Sequence, residues 1–450
     1  MNKLFGTDGV RGIVNKDLTC ELATKIGKSI GMIFENCNRP KVVLGKDTRI
    51  SCDMLEGALT AGLCSIGVDV ISLGVAPTPA VAFLTRKCMA NAGVMISASH
   101  NPYDFNGIKI FNKDGYKLCD ELENKIEKAV YDECYKYFND NNYVGRLFFK
   151  HKLVNDYVKH VIKSVDLSLE GLKVAFDCSN GASFNTAEKI FSSLGCKCHM
   201  LFCNPDGKNI NENCGSVHLE NLSKFVKENN VDLGIAFDGD ADRCLAVDEN
   251  GNFIDGDFLM AICAFYMKTE GKLLNNTVVG TIMTNLGFNR FCESNDINFI
   301  QTDVGDRYVL DSMLEGNFSL GGEQSGHIIF KDFATTGDGQ LTAAILLSII
   351  KKSGRKLSDL SNLMCKLPQV NVNIKINKNE KKYFSSDLRV INLIKKAQKK
   401  LGNQGRIIVR VSGTEPLIRI MVEWENSKEI KTFITDFVAK IKSMFLKNLV

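Results

Sequence analysis

The chain has 450 residues, too many for one hydrophobic core, and length alone suggests roughly three domains. An apolar fraction of 44% and a charged fraction of 24% are those of an ordinary soluble globular protein. The 56 basic and 52 acidic residues leave a formal charge of +4, and lysine is spread evenly without interleaved aromatics, so nothing reads as a nucleic-acid footprint.

In chain order, no apolar signal-peptide core follows Met1, and runs such as 343–350 are too short to span a membrane; a cytoplasmic location is expected. Residues 41–47 read as a buried strand. Residues 51–67 then place Leu55, Leu59, Leu63 and Ile66 on one helical face, with Ser51 or Asp53 as N-cap and Gly67 as the stop. Residues 68–74 form the returning strand. The same order recurs at 172–202, with 177–180 as the loop and Gly195 as the stop, and more loosely at 277–304. Three copies of one unit suggest three related α/β domains. After Pro368 the texture changes: 370–376 alternates, 406–412 and 418–424 read as paired strands, and 427–449 as a long amphipathic helix. The expected domains are 1–150, 151–254 and 255–367, all α/β, followed by an α+β module at 368–450. With seven prolines and no Gly/Ser-rich tract, linkers are short, and the domains are expected to pack around a common cleft. The sixteen cysteines are scattered, many inside apolar runs, and are expected to be reduced thiols.

Four polar loops follow or join expected strands. In the first, Ser99 leaves a buried strand into a tight Ser-His-Asn-Pro turn, where a hydroxyl can act as a nucleophile; the plain alternative is a common turn. A serine-hydrolase triad is disfavoured, because His100 is the next residue and its side chain would ordinarily diverge from that of Ser99. The second loop carries Asp238, Asp240 and Asp242 at alternate positions, suited to a hard cation that keeps open positions for a phosphate, which favours Mg²⁺. An EF-hand ending at Glu249 is opposed by Arg243 where glycine is needed and by flanking strands; a solvated acidic turn is the plain reading. In the third, Glu323 and Ser325 among glycines offer an acceptor and a donor for sugar hydroxyls, with His327 closing the loop; a glycine-rich hairpin would look similar. The fourth presents Arg410, Ser412, Gly413 and Thr414, with Arg419 beyond, as donors for a phosphate dianion, against the plain reading of a hairpin with a surface arginine. Together, one loop per domain, they form a kit for phosphoryl transfer on a phosphorylated sugar.

With Phe5-Gly6-Thr7-Asp8-Gly9-Val10-Arg11-Gly12 at the start, these loops resemble, in order and spacing along essentially the whole chain, the signature set of the α-D-phosphohexomutase superfamily. The FGTDGVRG opening, the GEQSGH loop and the RVSGTEPLIRIMVE ending are most similar to its bacterial branch acting on glucosamine phosphates. Ser97 departs from the threonine often found there. The resemblance implies three mixed-sheet α/β domains around a central cleft plus a C-terminal α+β domain of the TATA-binding-protein-like type. It implies a phosphorylated Ser99, primed by a sugar 1,6-bisphosphate or a kinase, and Mg²⁺ held by Asp238, Asp240, Asp242 and the Ser99 phosphate. Arg11, Arg243 and Lys109 are then expected to stabilise the transferring group, with Lys109 managing protons and His100 a second candidate. Glu323, Ser325 and His327 would meet the sugar, and Arg410, Ser412, Gly413, Thr414 and Arg419 its phosphate. The implied substrate is a small hexosamine phosphate, with no nucleic-acid or membrane partner and a monomer or homodimer as the working form. Rival readings are a phosphoglucomutase/phosphomannomutase of broader specificity, a Mg²⁺-dependent sugar phosphatase, and a non-catalytic sugar-phosphate sensor.

Overall fold

The computed structural model describes residues 4–6, 8–34, 37–137, 143–412 and 416–445. By packing, the chain divides into two units, Met1–Thr284 with Asn295–Leu363, and Asn285–Ser294 with Met364–Val450.

Three sheets build the first unit. The first contains β1 (Val10–Ile13), β2 (Lys41–Lys46), β3 (Asp69–Val75), β4 (Ala92–Ile96), β5 (Phe105–Asn112) and β6 (Leu147–Phe149), in the order β1-β5-β4-β2-β3-β6. Its helices are α1 (Cys20–Met32), α2 (Cys52–Ser65), α3 (Thr78–Lys87) and α4 (Asp120–Asp132). The second sheet follows α5 (Val154–Lys163) and contains β7 (Lys173–Asp177), β8 (Lys197–Leu201), β9 (Leu233–Phe237), β10 (Cys244–Val247) and β11 (Phe253–Ile254). Its order is β11-β10-β9-β7-β8, with α6 (Ala187–Ser193) and α7 (Glu220–Asn229) between strands. The third follows α8 (Gly256–Thr269) and pairs β13 (Asn298–Thr302), β12 (Thr277–Thr281), β14 (Leu320–Gly322) and β15 (Ile328–Phe330) in that order. Between β12 and β13 runs α9 (Leu286–Ser294); α10 (Asp306–Glu315) precedes β14, and α11 (Gly339–Ser353) and α12 (Leu357–Ser361) close the segment.

The repeat expected from sequence is visible in topology. In each sheet one strand is flanked by two parallel neighbours, and the second neighbour turns back as an antiparallel hairpin: β3-β2-β4-β5, β8-β7-β9-β10 and β13-β12-β14-β15. Buried runs such as Val42–Leu44 and Leu233–Phe237 explain the central strands, since strands covered on both faces need continuous apolar sequence. Of the two expected caps of α2, Ser51 takes the N-cap position and Asp53 does not. The helix begins at Cys52, and the Ser51 side chain makes no capping bond, its backbone being helical rather than extended; its hydroxyl accepts from Asn106 Nδ2 at 2.9 Å. Asp53 lies in the first turn and pairs with Lys46 at 2.6 Å.

In the second unit β16 (Gln369–Lys375), β18 (Leu417–Trp424) and β17 (Gly405–Val411) form an antiparallel sheet in that order. The helices α13 (Lys378–Phe384), α14 (Leu388–Leu401) and α15 (Ile430–Phe445) accompany it, and the sheet and α15 share a core containing Ile420, Trp424, Phe433 and Phe437. Buried Glu423 joins α9 to this sheet: it accepts from Asn285 Nδ2 at 3.2 Å, Leu286 N at 2.9 Å and Arg406 Nε at 2.8 Å. All sixteen cysteines are free thiols, and among the described residues no helix is long and apolar enough to cross a membrane.

Candidate active site

Three of the four sequence-predicted loops are the hairpin turns at the same place in the repeated topology: 97–104 between β4 and β5, 238–243 between β9 and β10, and 323–327 between β14 and β15. Ligand crevices form where strands end and connections diverge, so equivalent turns converge naturally. Ser99 sits in the first turn with φ +51°, a left-handed conformation uncommon for serine, and has 0% exposure. Its Oγ donates to Asp238 Oδ2 at 2.5 Å. The expectation that His100 diverges from Ser99 is corrected here: His100 Nδ1 lies 3.3 Å from Ser99 Oγ, the serine being in a left-handed turn rather than extended backbone.

The acidic turn gathers its carboxylates as expected. Asp238, Asp240 and Asp242 are buried, with one oxygen of each lying within 4.8 Å of the others. Gly239 permits the approach of the two turns, since a Cβ there would meet the Ser99 carbonyl oxygen at 2.6 Å. Asp240 Oδ2 accepts from Thr78 Oγ1 at 2.6 Å, while Asp240 Oδ1 and Asp242 Oδ1 are buried without a hydrogen-bond partner among the described residues. Burial, then Asp242 and Asp240, push the Asp238 carboxyl well above the ordinary range. Crowded buried anions with unpaired oxygens fit a hard divalent cation, and strands flank the loop on both sides. The EF-hand alternative fails: Glu249 turns away and accepts from Ser358 Oγ.

Cations surround these acids. Lys109 Nζ donates to Asp240 Oδ2 at 2.8 Å and Asp242 Oδ2 at 3.0 Å, and lies 3.1 Å from Asp8 Oδ2. Burial opposes its charge, but Asp240, Asp242 and Asp8 outweigh it and hold the amine well above the usual lysine range. Arg11 donates to Asn101 Oδ1 and Asp8 Oδ2, each at 2.9 Å. Arg243 donates its amide to Asp238 Oδ1 at 3.1 Å, and its Nε is 3.8 Å from Asp242 Oδ1. Burial, reinforced by Arg243 and Arg11, lowers the His100 pKa to about 4, so its ring is neutral at pH 7.

The third turn reaches the same cluster through His327, whose Nδ1 lies 3.7 Å from Asp242 Oδ2 and whose Nε2 lies 3.4 Å from Asp306 Oδ2. Burial opposes charge on that ring, while Asp242 and Asp306 raise its pKa. The Gly337 amide donates to Nε2 at 3.0 Å, a bond only the neutral ring accepts, so this geometry holds the proton on Nδ1 facing Asp242. Burial raises the Glu323 carboxyl, and Ser325 Oγ is buried without a hydrogen-bond partner among the described residues. Gln324 braces the turn by donating to Asp257 Oδ2 at 3.1 Å.

Sequence reading did not single out Asp8, Lys117, Asp306, Arg49 or Asn211. Lys117 bridges Asp8 and Asp306, tying the N-terminal segment to α10. Nothing local marks these partners, which are 109 and 189 positions away in the chain.

The fourth loop belongs to the second unit. Arg410 and Arg419 are direct cross-strand partners on β17 and β18, which sets two like charges side by side. Burial and Arg419 lower the Arg410 pKa. Ser412 is buried and its amide donates to Leu417 O at 2.8 Å; Gly413 and Thr414 lie outside the described residues.

Four models of the phosphoglucomutase/phosphomannomutase family match in series: α/β/α domain I at residues 2–135, domain II at 155–251, domain III at 255–367 and the C-terminal domain at 372–440. The chain is 50% identical over 441 residues to phosphoglucosamine mutase of Clostridium novyi, covering 96% of each. To that of Acetivibrio thermocellus it is 50% identical over 446 residues, covering 98% of this chain and 99% of the relative. Among solved structures, a phosphoglucomutase/phosphomannomutase family protein from Burkholderia thailandensis superposes with a TM-score of 0.82 at 24% identity, covering 98% of both chains. Aspergillus fumigatus N-acetylphosphoglucosamine mutase, in complex with GlcNAc-6P and magnesium, does so with 0.69 at 16% identity, over 98% of this chain and 95% of that one. These two likenesses bear on fold alone, whereas the bacterial relatives bear on descent. The chain belongs to the phosphoglucosamine mutase family, within the phosphoglucomutase/phosphomannomutase enzymes.

Proposed function

We propose that the chain interconverts D-glucosamine 6-phosphate and D-glucosamine 1-phosphate, with Ser99 as the phosphoryl carrier. The observation that carries this reading is the 2.5 Å contact between Ser99 Oγ and Asp238, the first of three convergent acids 139 positions away. In the forward half-reaction the phosphorus–Oγ bond of phosphorylated Ser99 breaks and a bond forms to the free sugar hydroxyl, giving a 1,6-bisphosphate. The hydroxyl loses a proton and Ser99 Oγ gains one. The bisphosphate then turns end for end, and its other phosphate returns to Ser99.

Asp238, Asp240 and Asp242 would hold Mg²⁺ together with a phosphate oxygen. That ion, when bound, offsets the nearly two negative charges of a phosphoserine and polarises it toward transfer. Arg11 and Arg243 supply positive charge for the equatorial oxygens. Lys109, held as an ammonium by three carboxylates, adds charge and offers a proton to the leaving oxygen. Neutral His100, 3.3 Å from Ser99 Oγ, is a second proton partner. Glu323, Ser325 and His327 would hold ring hydroxyls. Arg410, Ser412, Gly413, Thr414 and Arg419 would anchor whichever phosphate is not reacting, a charge-based task that tolerates both ends of the substrate. A cytoplasmic location and a monomer or homodimer remain the expectation.

Ser99→Ala is expected to abolish mutase turnover while retaining the fold and sugar-phosphate binding. In the parent enzyme, intact-mass analysis is expected to find about 80 Da of added mass mapping to Ser99. Retained turnover in the variant would refute the carrier role. Release of inorganic phosphate in step with substrate loss would favour a phosphatase instead.

A further inference from the structure

Arg49 lies in the loop after β2, apart from the residues just described, and its side chain is wholly buried in an ion pair with Asp47. All five of its N–H groups are used. Nε donates to Asp47 Oδ2 at 2.9 Å. Nη2 donates to the carbonyls of Ser99 at 2.9 Å and Asn101 at 2.8 Å, and Nη1 to those of Phe105 at 3.1 Å and Pro102. Three carbonyls of the Ser99 turn and that of the first residue of β5 therefore end on one guanidinium. Asp47 closes the circuit from the other side: its Oδ2 accepts from Ser97 Oγ at 2.7 Å, and Ser97 Oγ accepts from the Ser99 amide at 2.9 Å. A third grip comes from the loop preceding α7, where Asn211 Nδ2 donates to the Ser99 and Asn101 carbonyls at 2.9 and 3.0 Å.

Both the amide and the carbonyl of Ser99 are thus held by side chains, the carbonyl by two from outside its own turn, and the residue they hold has φ +51°. A left-handed serine is retained only where its surroundings over-determine it. Only the planar, five-donor fork of arginine can collect this set of carbonyls. We propose that Arg49 is a positioning residue for phosphoryl transfer, which together with Asp47, Ser97 and Asn211 fixes Ser99 Oγ against the acidic turn. The inference rests on the reading of Ser99 as the carrier. It assigns Arg49 no contact with substrate.

The test uses the full-length enzyme with Mg²⁺ and glucosamine 6-phosphate, comparing Arg49→Lys, Ser97→Ala and Asn211→Ala for kcat, KM and Tm. A misplacement of about 1 Å at a reacting group costs about 100-fold, so Arg49→Lys is expected to lower kcat by about that factor with KM within about twofold. Ser97→Ala and Asn211→Ala, which each remove part of the grip and leave the ion pair intact, are expected to lower kcat by roughly tenfold. A merely structural clamp would lower Tm and leave kcat per folded molecule unchanged; that result overturns the proposal. Should Arg49→Lys not fold, the other two variants decide in the same way. Turnover by Ser99→Ala would sink the carrier reading itself. An inactive Ser99→Ala beside normal kcat in the three clamp variants would sink only the clamp.

Discussion

At the scale of single residues, the acidic turn stores unfavourable energy. Asp238 is buried beside two other carboxylates, and its raised pKa means that ionising it weakens the fold as pH rises above the ordinary carboxylate range. Neutralising it should therefore leave the metal-free protein at least as stable, a usual trade between stability and activity. Asp238→Asn is expected to melt at or above the parent temperature without magnesium, to lose the magnesium-dependent rise in Tm, and to lose at least about 100-fold in turnover. Thermal melts with Mg²⁺ and with EDTA check this; an undiminished magnesium response would remove Asp238 from the cation's ligands. The three acids were legible because an apolar strand delivers them abruptly into a polar turn. Arg49 was not, because its role lies in carbonyls about 50 positions away that carry no side-chain signature.

At the scale of elements, the strand–helix–strand order could be read from apolar periodicity, and 41–47, 68–74 and 418–424 correspond closely to β2, β3 and β18. The N-cap position of α2 at Ser51 was legible, but its side chain makes no capping bond, and the hydroxyl instead accepts from a distant asparagine. Asp177, at the end of β7, shows how such loops are pinned. Its carboxylate accepts from the amides of Ser179 and Gly215, both at 2.8 Å. Burial nevertheless dominates and pushes its pKa up from 3.8 to about 7. A group with a raised folded pKa contributes fully below its unfolded value and loses that contribution as pH rises through the folded one. Ionising Asp177 should therefore cost the fold several kcal/mol as pH climbs from about 4 to about 7, on the order of 1.4 kcal/mol for each pH step of one. Asp177→Asn cannot titrate, so its Tm relative to the parent is expected to improve steadily from pH 5 to about pH 7 and to level off above that. A difference that stays flat over that range would show that Asp177 ionises normally.

At the scale of the whole molecule, composition and loop spacing were enough to expect three related α/β segments and a distinct C-terminal module. The common hairpin position of three site loops was not legible, because strand order within a sheet leaves no trace in periodicity. Nor was the membership of α9, which follows β12 in sequence but packs with the second unit through Glu423. Removing that carboxylate takes away an acceptor shared by the Leu286 amide, Asn285 and Arg406. Glu423→Ala is expected to destabilise the second unit by on the order of 3 kcal/mol. Calorimetry should then resolve a transition that moves down in temperature while the remainder of the heat absorption stays in place; a uniform downward shift of one peak would show that the chain melts as a single cooperative body.

The chain passes between its two units three times, at 284/285, 294/295 and 363/364. No single genetic crossover can therefore exchange one unit between two related genes intact. A recombinant joined near residue 364 would inherit α9 from one parent and the strands it leans on from the other. Glu423 and the Asn285–Leu286 turn must then be compatible across lineages, or change together.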